Sequence, residues 1–483
     1  MLIESRTIKI LLFVTFTGFM TSCVTTKYQA PATNIPADYR SGIDTSEYEK
    51  QSNNHSDPGI ASIPYKKFFT DPLLLRLIDS GIAKNYNLQI ALKQIDIAAE
   101  GMKQAKWGYA PTVGLTAGQA SITRSSDNSM NGMMASQFLG KSYILDYTSN
   151  VNISWQADIW GKIKSRKEAA LASYLQTREA EHAIQTRLVS DIAQGYYNLL
   201  MLDAQIAITN KSIALYDSSI NMTKLLRDAG NVTSLAVQQQ EAAKEQALAS
   251  LPQLRQQLAI QENALSILTG QNPGKIERTN SLQVVQLHDA LPVGFPANIV
   301  SNRPDIRQAE QSLMQAHALM NVSRASMYPN LSITAQGGLN SFEFNNWFNI
   351  PGSLFGMVAG AITQPILQGR QLKTQYEQSK LAREQSELNF KQTILAALGE
   401  VSNALIAIDE LEKQESHTAR QSAILEQTIG DSRLLFLSGQ AGYLEILTAQ
   451  NSKLQSDLAL AGLQRQRLNA EVLLYQAVGG GWQ

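Results

Sequence analysis

The sequence contains one cysteine, Cys23, and few charged side chains among its 483 residues. A single cysteine excludes an internal disulfide. Charged residues make up 17% of the chain, against about 25% in an average soluble protein. Lysine and arginine together number 41, as do aspartate and glutamate, and no basic stripe occurs. Nucleic acid is therefore an improbable partner.

Signatures of catalysis are also lacking. The five histidines are scattered, and the motifs H-E-x-x-H, C-x-x-C and G-x-S-x-G do not occur. The segment from Gly270 to Lys275 is one residue shorter than a phosphate-binding loop and predicts a helix-ending turn. A polar segment holds Met130, Met133 and Met134; thioethers favour Cu(I), but incidental methionines in a mobile loop are the better interpretation. We expect no catalytic residue, metal site or cofactor, although an enzyme with a dispersed site is a competing class.

No run of 18 apolar residues follows Cys23, so any membrane crossing must be made by strands. On the N-terminal side of Cys23, two basic residues precede the apolar stretch Ile10–Met20, as in a secretory signal. The position of Cys23 resembles a bacterial lipoprotein signal, although Met20 stands where leucine is usual. We expect residues 1–22 to be removed and Cys23 to carry acyl chains that hold the protein on a membrane. An ordinary signal peptide with an incidental cysteine is the alternative.

The sequence contains an internal duplication, in which the same order of helices and strands is expected twice. Residues 85–118 align with 303–336 at an offset of 218, and farther along Gly230 aligns with Gly439 at an offset of 209. The change of offset implies a net nine-residue difference in the intervening segments. After an extended segment at 23–70, we expect repeat 1 at 71–288 and repeat 2 at 289–483, each in the order helix, strand, strand, long helix, turn, helix.

Residues 145–159 alternate apolar and polar side chains, and Ser149 alone interrupts the apolar row. The alternation predicts a strand at about 143–159 with one apolar and one polar face. An outer-membrane barrel needs this pattern, and a long strand of a soluble sandwich also shows it. Four strands cannot close a barrel, so the chain must oligomerise; strand counting leaves a dimer and a trimer open. Weaker alternation predicts the other three strands at about 109–124, 328–340 and 353–367, with external loops at 124–142 and 341–352.

The remaining sequence favours unusually long helices. At about 1.5 Å per residue, each long helix would measure about 100 Å and associate as coiled coils do. Pro252 predicts a kink or break in the first return helix, and residues 271–302 predict the connection between the repeats. The bounds we expect are 162–229 and 370–438 for the long helices, and 232–270 and 441–478 for the return helices.

These features resemble the TolC-like outer-membrane efflux family, in its lipidated OprM/NodT-like branch. The marks are KKFFTDPLLLRLIDSGIAKNYNLQIAL, SWQADIWGK, SNRPDIRQAEQSL, QPILQGR, FLSGQAGYLEILTAQ and LYQAVGGGW. The resemblance implies an α+β protomer, mostly long helices, of a homotrimer that forms a 12-stranded outer-membrane β-barrel continued by a periplasmic α-helical barrel. It further implies a lipid-anchored exit duct for small toxic compounds, with a periplasmic adaptor protein and an inner-membrane transporter of the proton-driven resistance-nodulation-division type as partners.

The resemblance also places functional residues. It puts the turns Gly230-Asn231 and Gly439-Gln440 at the periplasmic tip that meets the adaptor. In the gate that follows, it puts Leu444 in an apolar ring, Glu445 at an acidic position and Thr448 where many members carry aspartate. With one ring of carboxylates fewer, the gate is expected to attract cations less strongly. From the residues alone, apart from the resemblance, the interpretation of Leu444 is a helix-packing leucine and that of Glu445 is a solvated glutamate.

Two other functions remain open. One is an exit duct for secreted protein, against which the lipid anchor and the GGGW ending favour small-molecule efflux by resemblance. The other is a structural lipoprotein with a periplasmic coiled coil and no pore, against which the alternation at 145–159 argues. The exported compounds are not indicated, because selection in such pumps belongs largely to the transporter.

Overall fold

A computed structural model describes residues 24–33, 35–36, 59–126, 128–278, 282 and 296–483. Residues 1–22 and Cys23 lie outside the described residues. Among those described, no helix has both the length and the apolar character needed to cross a membrane. The chain divides into two compact units. Unit 1 comprises Met1–Pro31, Asp96–Leu175 and Glu310–Leu388, and unit 2 comprises Ala32–Ile95, Gln176–Ala309 and Asn389–Gln483.

Unit 1 contains an antiparallel sheet in the order β1-β2-β3-β4. Its register aligns apolar side chains across all four strands: Val113 pairs with Ile153, Ile153 with Ala335, and Ala335 with Val358. Val113 is 67% exposed and Val358 is 78% exposed, so this apolar face packs on no core in the single chain as described. The strands are β1 (Thr112–Thr123), β2 (Ile144–Ala157), β3 (Asn330–Ser341) and β4 (Leu354–Thr363).

The interruption at Ser149 coincides with a β-bulge in the neighbouring strand. The register of β1 against β2 shifts between Thr116 and Gln119, so two residues of β1 lie opposite Ser149. The Ser149 hydroxyl donates to the carbonyl oxygen of Ala117 at 2.7 Å. A bulge leaves a backbone group without its ladder partner, and the serine hydroxyl supplies one.

Helices make up most of the described chain. The two long helices, α5 and α9, have 67 residues each, and the two return helices, α6 and α10, have 35 each. The helices are α1 (Tyr65–Phe68), α2 (Pro72–Lys84), α3 (Tyr86–Trp107), α4 (Met130–Leu139), α5 (Lys162–Asp228), α6 (Ser234–Leu268), α7 (Pro296–Asn302), α8 (Pro304–Ala325), α9 (Gln371–Leu437) and α10 (Tyr443–Ala477).

The offsets between the halves change in the segment that follows the first strand of each half. From β1 to β3 the offset is 218, and from α5 to α9 it is 209. Residues 124–161, 38 in all, separate β1 from α5, whereas residues 342–370, 29 in all, separate β3 from α9. The nine additional residues therefore belong mainly to the loop that carries α4. The repeat boundaries at 71–288 and 289–483 stay predictions.

The structure differs from the sequence-based expectations at two places. Residues 130–139 form a helix, α4, rather than a loop, because Ser129 caps its first turn and Gly140 ends it at φ +63°. Of the kink or break expected at Pro252, the break is excluded, because α6 is continuous from Ser234 to Leu268. A proline removes one hydrogen bond of the helix, and the buried side chains of Ala247 and Leu251 hold the segment just before it.

Candidate functional site

The two long helices each end in a backbone turn, and the two turns have the same geometry. Gly230 has φ +80° and Gly439 has φ +76°, in the left-handed region that glycine adopts without strain. The amide of Asn231 donates to the carbonyl of Leu226 at 2.8 Å, and the amide of Gln440 donates equivalently to Leu435 at 2.9 Å. These bonds cap the last carbonyls of each helix. Within the described chain, apart from each glycine and its two chain neighbours, no heavy atom lies within 4 Å of the position that a Cβ would take.

The three predicted gate residues share one exposed face of α10. Leu444 is 56% exposed, and Glu445 and Thr448 are also exposed. Their spacing of one and four residues places them on one side of a helix with 3.6 residues per turn. Glu445 lies in the first turn, where the helix dipole favours a negative charge. The opposite side carries the buried residues Ile446, Leu447, Ala449 and Gln450.

Packing on the buried side fixes which face of α10 is exposed. Leu447 belongs to a cluster in unit 2 with Tyr216 of α5 and Val237 of α6. The amide of Gln450 donates to the Ser219 hydroxyl at 2.7 Å, which ties α10 to α5. Rotation of α10 would break both contacts, so the exposure of the candidate gate residues follows from the core beneath them.

The first repeat has an equivalent face on α6. Leu235, 209 residues before Leu444, is 54% exposed. Ala236, which is fully buried, corresponds to Glu445, and Gln239 corresponds to Thr448. The exposed leucine is therefore common to both repeats, and the acidic position occurs in repeat 2.

When copies of the chain surround a symmetry axis, the exposed face of each α10 can line a passage. Leu444 can then narrow the passage, and Glu445 can give it negative charge. A ring of leucines excludes water, and a ring of carboxylates attracts cations. On this face of α10 one chain presents one leucine and one carboxylate, so a constriction requires symmetric assembly.

Other sequence-based candidates are placed as follows. Cys23 lies outside the described residues. Met130, Met133 and Met134 lie on α4 with exposed side chains. Gly270 has φ +66°, and the amide of Gln271 donates to Ser266 at 2.8 Å, so GQNPGK begins with a helix-ending turn. Among the described residues, no group of three or more histidines, cysteines or carboxylates could hold a metal ion.

Unit 1 also contains a cavity that was not predicted from the sequence. It has a volume of about 420 Å³ and is lined by Lys162 and Arg166 of α5, together with the end of α8 and the start of α9. Two cations four residues apart, at the start of the helix that follows a strand, were the available signal. Residues distant in sequence complete the cavity, so the signal alone did not locate it.

The sequence and the fold are similar to those of known proteins. The family model described as outer membrane efflux protein matches residues 77–271 and 296–480. The solvent efflux pump outer membrane protein SrpC of Pseudomonas putida is 30% identical over 459 residues, 94% of each chain. The cation efflux system protein CusC of Escherichia coli O6:H1 is 28% identical over 458 residues, 94% of this chain and 95% of the relative. A membrane protein from Pseudomonas aeruginosa superposes with a TM-score of 0.84 at 26% identity, covering 95% of this chain and 98% of that one.

Proposed function

Because this chain belongs to the outer membrane efflux protein family, we propose that it is the passive exit duct of a tripartite pump. In this proposal an inner-membrane transporter supplies the energy and a periplasmic adaptor protein joins the transporter to the duct. The chain then conducts small toxic compounds across the outer membrane and performs no covalent chemistry.

The comparisons confirm several of the predictions made from the sequence. The family, the internally duplicated α+β fold of a trimeric outer-membrane channel, the role in efflux and the outer-membrane location are all confirmed. The type of transporter, the lipid on Cys23, the adaptor contact and the gate belong to the proposal.

The apolar row across the sheet is the observation that carries the proposal. Val113, Ile153, Ala335 and Val358 form one cross-strand row on an uncovered face. The paired row on the other face is Thr112, Ser154, Thr334 and Ala359, which is largely polar. One face suits lipid and the other a watery lumen. Three such sheets supply 12 strands, which closes the unpaired edges of β1 and β4.

We further propose that the adaptor contacts Gly230, Asn231, Gly439 and Gln440, and that Leu444, Glu445 and Thr448 line the gate. The open space around the two glycines supports the first assignment, and the shared exposed face of α10 supports the second. We assign Cys23 as the lipid anchor and a proton-driven resistance-nodulation-division transporter as the energy source, both by family resemblance.

The duct is tested by the conductance of the purified trimer in planar bilayers, with a susceptibility panel on a strain lacking the gene. The panel contains dyes, detergents, antibiotics, solvents, copper and silver, because one relative is named for cation efflux and another for solvent efflux. We expect ion conductance, and hypersensitivity that the native gene restores. A protein that conducts no ions would contradict the duct and favour a structural lipoprotein, whereas conductance with a secretion defect as the sole phenotype would favour protein export. A Cys23→Ser gene tests the anchor.

The gate is tested with a matched pair of variants. Leu444→Ser and Glu445→Gln should change conductance or cation selectivity, because both alter the proposed constriction. Leu235→Ser removes the equivalent exposed leucine of repeat 1 and serves as the control. If Leu444→Ser and Glu445→Gln, like the control, leave both conductance and cation selectivity unchanged, the gate assignment is wrong.

A further inference from the structure

The cavity in unit 1 lies at the end of the sheet where its strands connect to helices. The passages from β2 to α5, from α8 to β3 and from β4 to α9 all contribute to its wall. Its volume of about 420 Å³ is within the range of about 300–1,000 Å³ typical of small-molecule sites. The residues that matter for binding are Asp158, Trp160, Lys162, Arg166 and Tyr328.

Two cations in this wall, Lys162 and Arg166, have no anionic partner among the described residues. Lys162 and Arg166 are four residues apart on α5, so they project from the same side of the helix. Neither side chain makes an ion pair or a hydrogen bond within the part of the chain that the structure describes. Burial, and secondly the charge of Arg166, lower the pKa of Lys162. The charge on Lys162 therefore opposes folding, which an anionic ligand would offset.

The carboxylate in the wall has another role. Asp158 accepts the backbone amides of Ile163 at 2.9 Å and Lys164 at 2.8 Å. Both of its oxygens thus cap the first turn of α5. The two cations therefore outnumber the single carboxylate, and the carboxylate is already bonded.

The position of the cavity relative to the apolar face indicates the ligand. Strand-end residues Ala157 and Thr363 line it, and the last apolar cross-strand row, formed by Ala157, Leu331 and Ile362, lies at the same end of the sheet. The ring centroids of Trp160 and Tyr328 lie 5.1 Å apart beside it, with the ring planes tilted by 34°. Aromatic side chains gather at the level of lipid headgroups, so the cavity would lie at that level.

We propose that this cavity binds the phosphate group of an anionic phospholipid between the Lys162 ammonium and the Arg166 guanidinium. Arginine binds phosphate oxygens with paired hydrogen bonds, and lysine adds a point charge. The inference rests on the proposed function, because it requires the sheet to lie in the outer membrane.

The test measures phospholipid retention by the full-length trimer in nanodiscs of phosphatidylglycerol or phosphatidylcholine, followed by detergent washing and native mass spectrometry. We expect the native protein to retain phosphatidylglycerol selectively. Lys162→Gln with Arg166→Gln should weaken retention by tenfold or more, roughly the effect of losing a charged hydrogen bond. The control, Lys167→Gln with Lys373→Gln, removes two exposed cations of the same unit outside the cavity and should retain lipid as the native protein does.

Several outcomes would overturn the proposal. Equal retention by the cavity variant and the native protein, or equal losses in the cavity variant and its control, would show that the cavity is not the site. If the native protein retains no phosphatidylglycerol but binds inorganic phosphate, and the cavity variant does not bind it, the site takes free phosphate instead. Arg166→Gln alone alters an exposed side chain, and Lys162→Arg keeps both charges, so folding defects are separated from binding. Conductance of the same samples tests the duct independently: a conducting native trimer that retains no lipid contradicts only the lipid site.

Discussion

The return helices α6 and α10 have 35 residues each and begin at equivalent positions, 209 residues apart, but their first turns differ. Both expose a leucine, Leu235 in α6 and Leu444 in α10. The next residue is the buried Ala236 in α6 and the exposed Glu445 in α10. Features present in both repeats belong to the shared fold, whereas a feature present in one repeat is a candidate for function. The comparison therefore favours the acidic position of α10 as the more informative part of the gate.

The largest effect is expected at Gly338 of β3. A Cβ there would lie 2.0 Å from the backbone oxygen of Ser149, so Gly338→Ala requires the paired strands to move apart. We expect a loss of about 3 kcal/mol or failure of the sheet to form. The equivalent residue of repeat 1 is Ala120 of β1, where Ala120→Gly should cost about 0.5–1 kcal/mol. The dissociation temperature of the purified trimer measures both, and similar effects would contradict the difference between the strands.

The second comparison exchanges a proline between the return helices. Ala461 of α10 is buried and corresponds to Pro252 of α6. Ala461→Pro should destabilise the protein by about 3 kcal/mol, since it removes a hydrogen bond and crowds the preceding turn. Pro252→Ala should have little effect, because α6 already continues through this position. Thermal unfolding followed by circular dichroism distinguishes them, and a tolerated Ala461→Pro would show that both helices accommodate a proline equally.

The third comparison concerns the turns after the long helices. Gly230→Ala and Gly439→Ala should each cost about 1 kcal/mol, because both glycines have a positive φ and open space around them. Asparagine tolerates this conformation better, so Gly230→Asn and Gly439→Asn should be milder. Unfolding temperatures give the backbone effect, and adaptor binding by the asparagine variants tests the contact. Unequal costs for the two alanine variants would mean that the turns are not equivalent.

The smallest effect is expected from an added charge. Thr448→Asp should raise the preference for cations by roughly twofold, since it supplies a further ring of carboxylates in the assembled gate. Gln239→Asp places the same charge at the equivalent position of repeat 1 and should leave selectivity unchanged. Reversal potentials under a salt gradient measure both variants, and a response to Gln239→Asp alone would move the gate to α6.

The long elements could be predicted from sequence because each repeats one pattern over many residues. Alternation at 145–159 indicates β2, and helical spacing without proline indicates α5 and α9. Helix α4 was missed because ten residues give little periodicity, although Ser129 and Gly140 carried capping signals. Of the kink or break expected at Pro252, the break does not occur, because local propensity yielded to packing in a long helix.

The candidate sites were less predictable. The helical period of α10 separates Leu444 and Glu445 from the buried Leu447, but the orientation of this face relative to a symmetry axis depends on other copies of the chain. The phosphate site depends on contacts across the sequence: Arg166 and Tyr328 lie 162 residues apart and line one cavity. A pattern read along the chain does not bring such residues together.

The unpaired edges of β1 and β4 in the described chain also affect the kinetics of assembly. A single protomer cannot satisfy these backbone groups, and completing the sheet requires encounters between protomers. The rate of closure should therefore rise with protomer concentration more steeply than first order. At low expression, incompletely closed sheets would persist longer and expose unpaired strand edges that can pair with other chains. Synthesis rate, and not stability alone, would then decide how much of the chain reaches its working form.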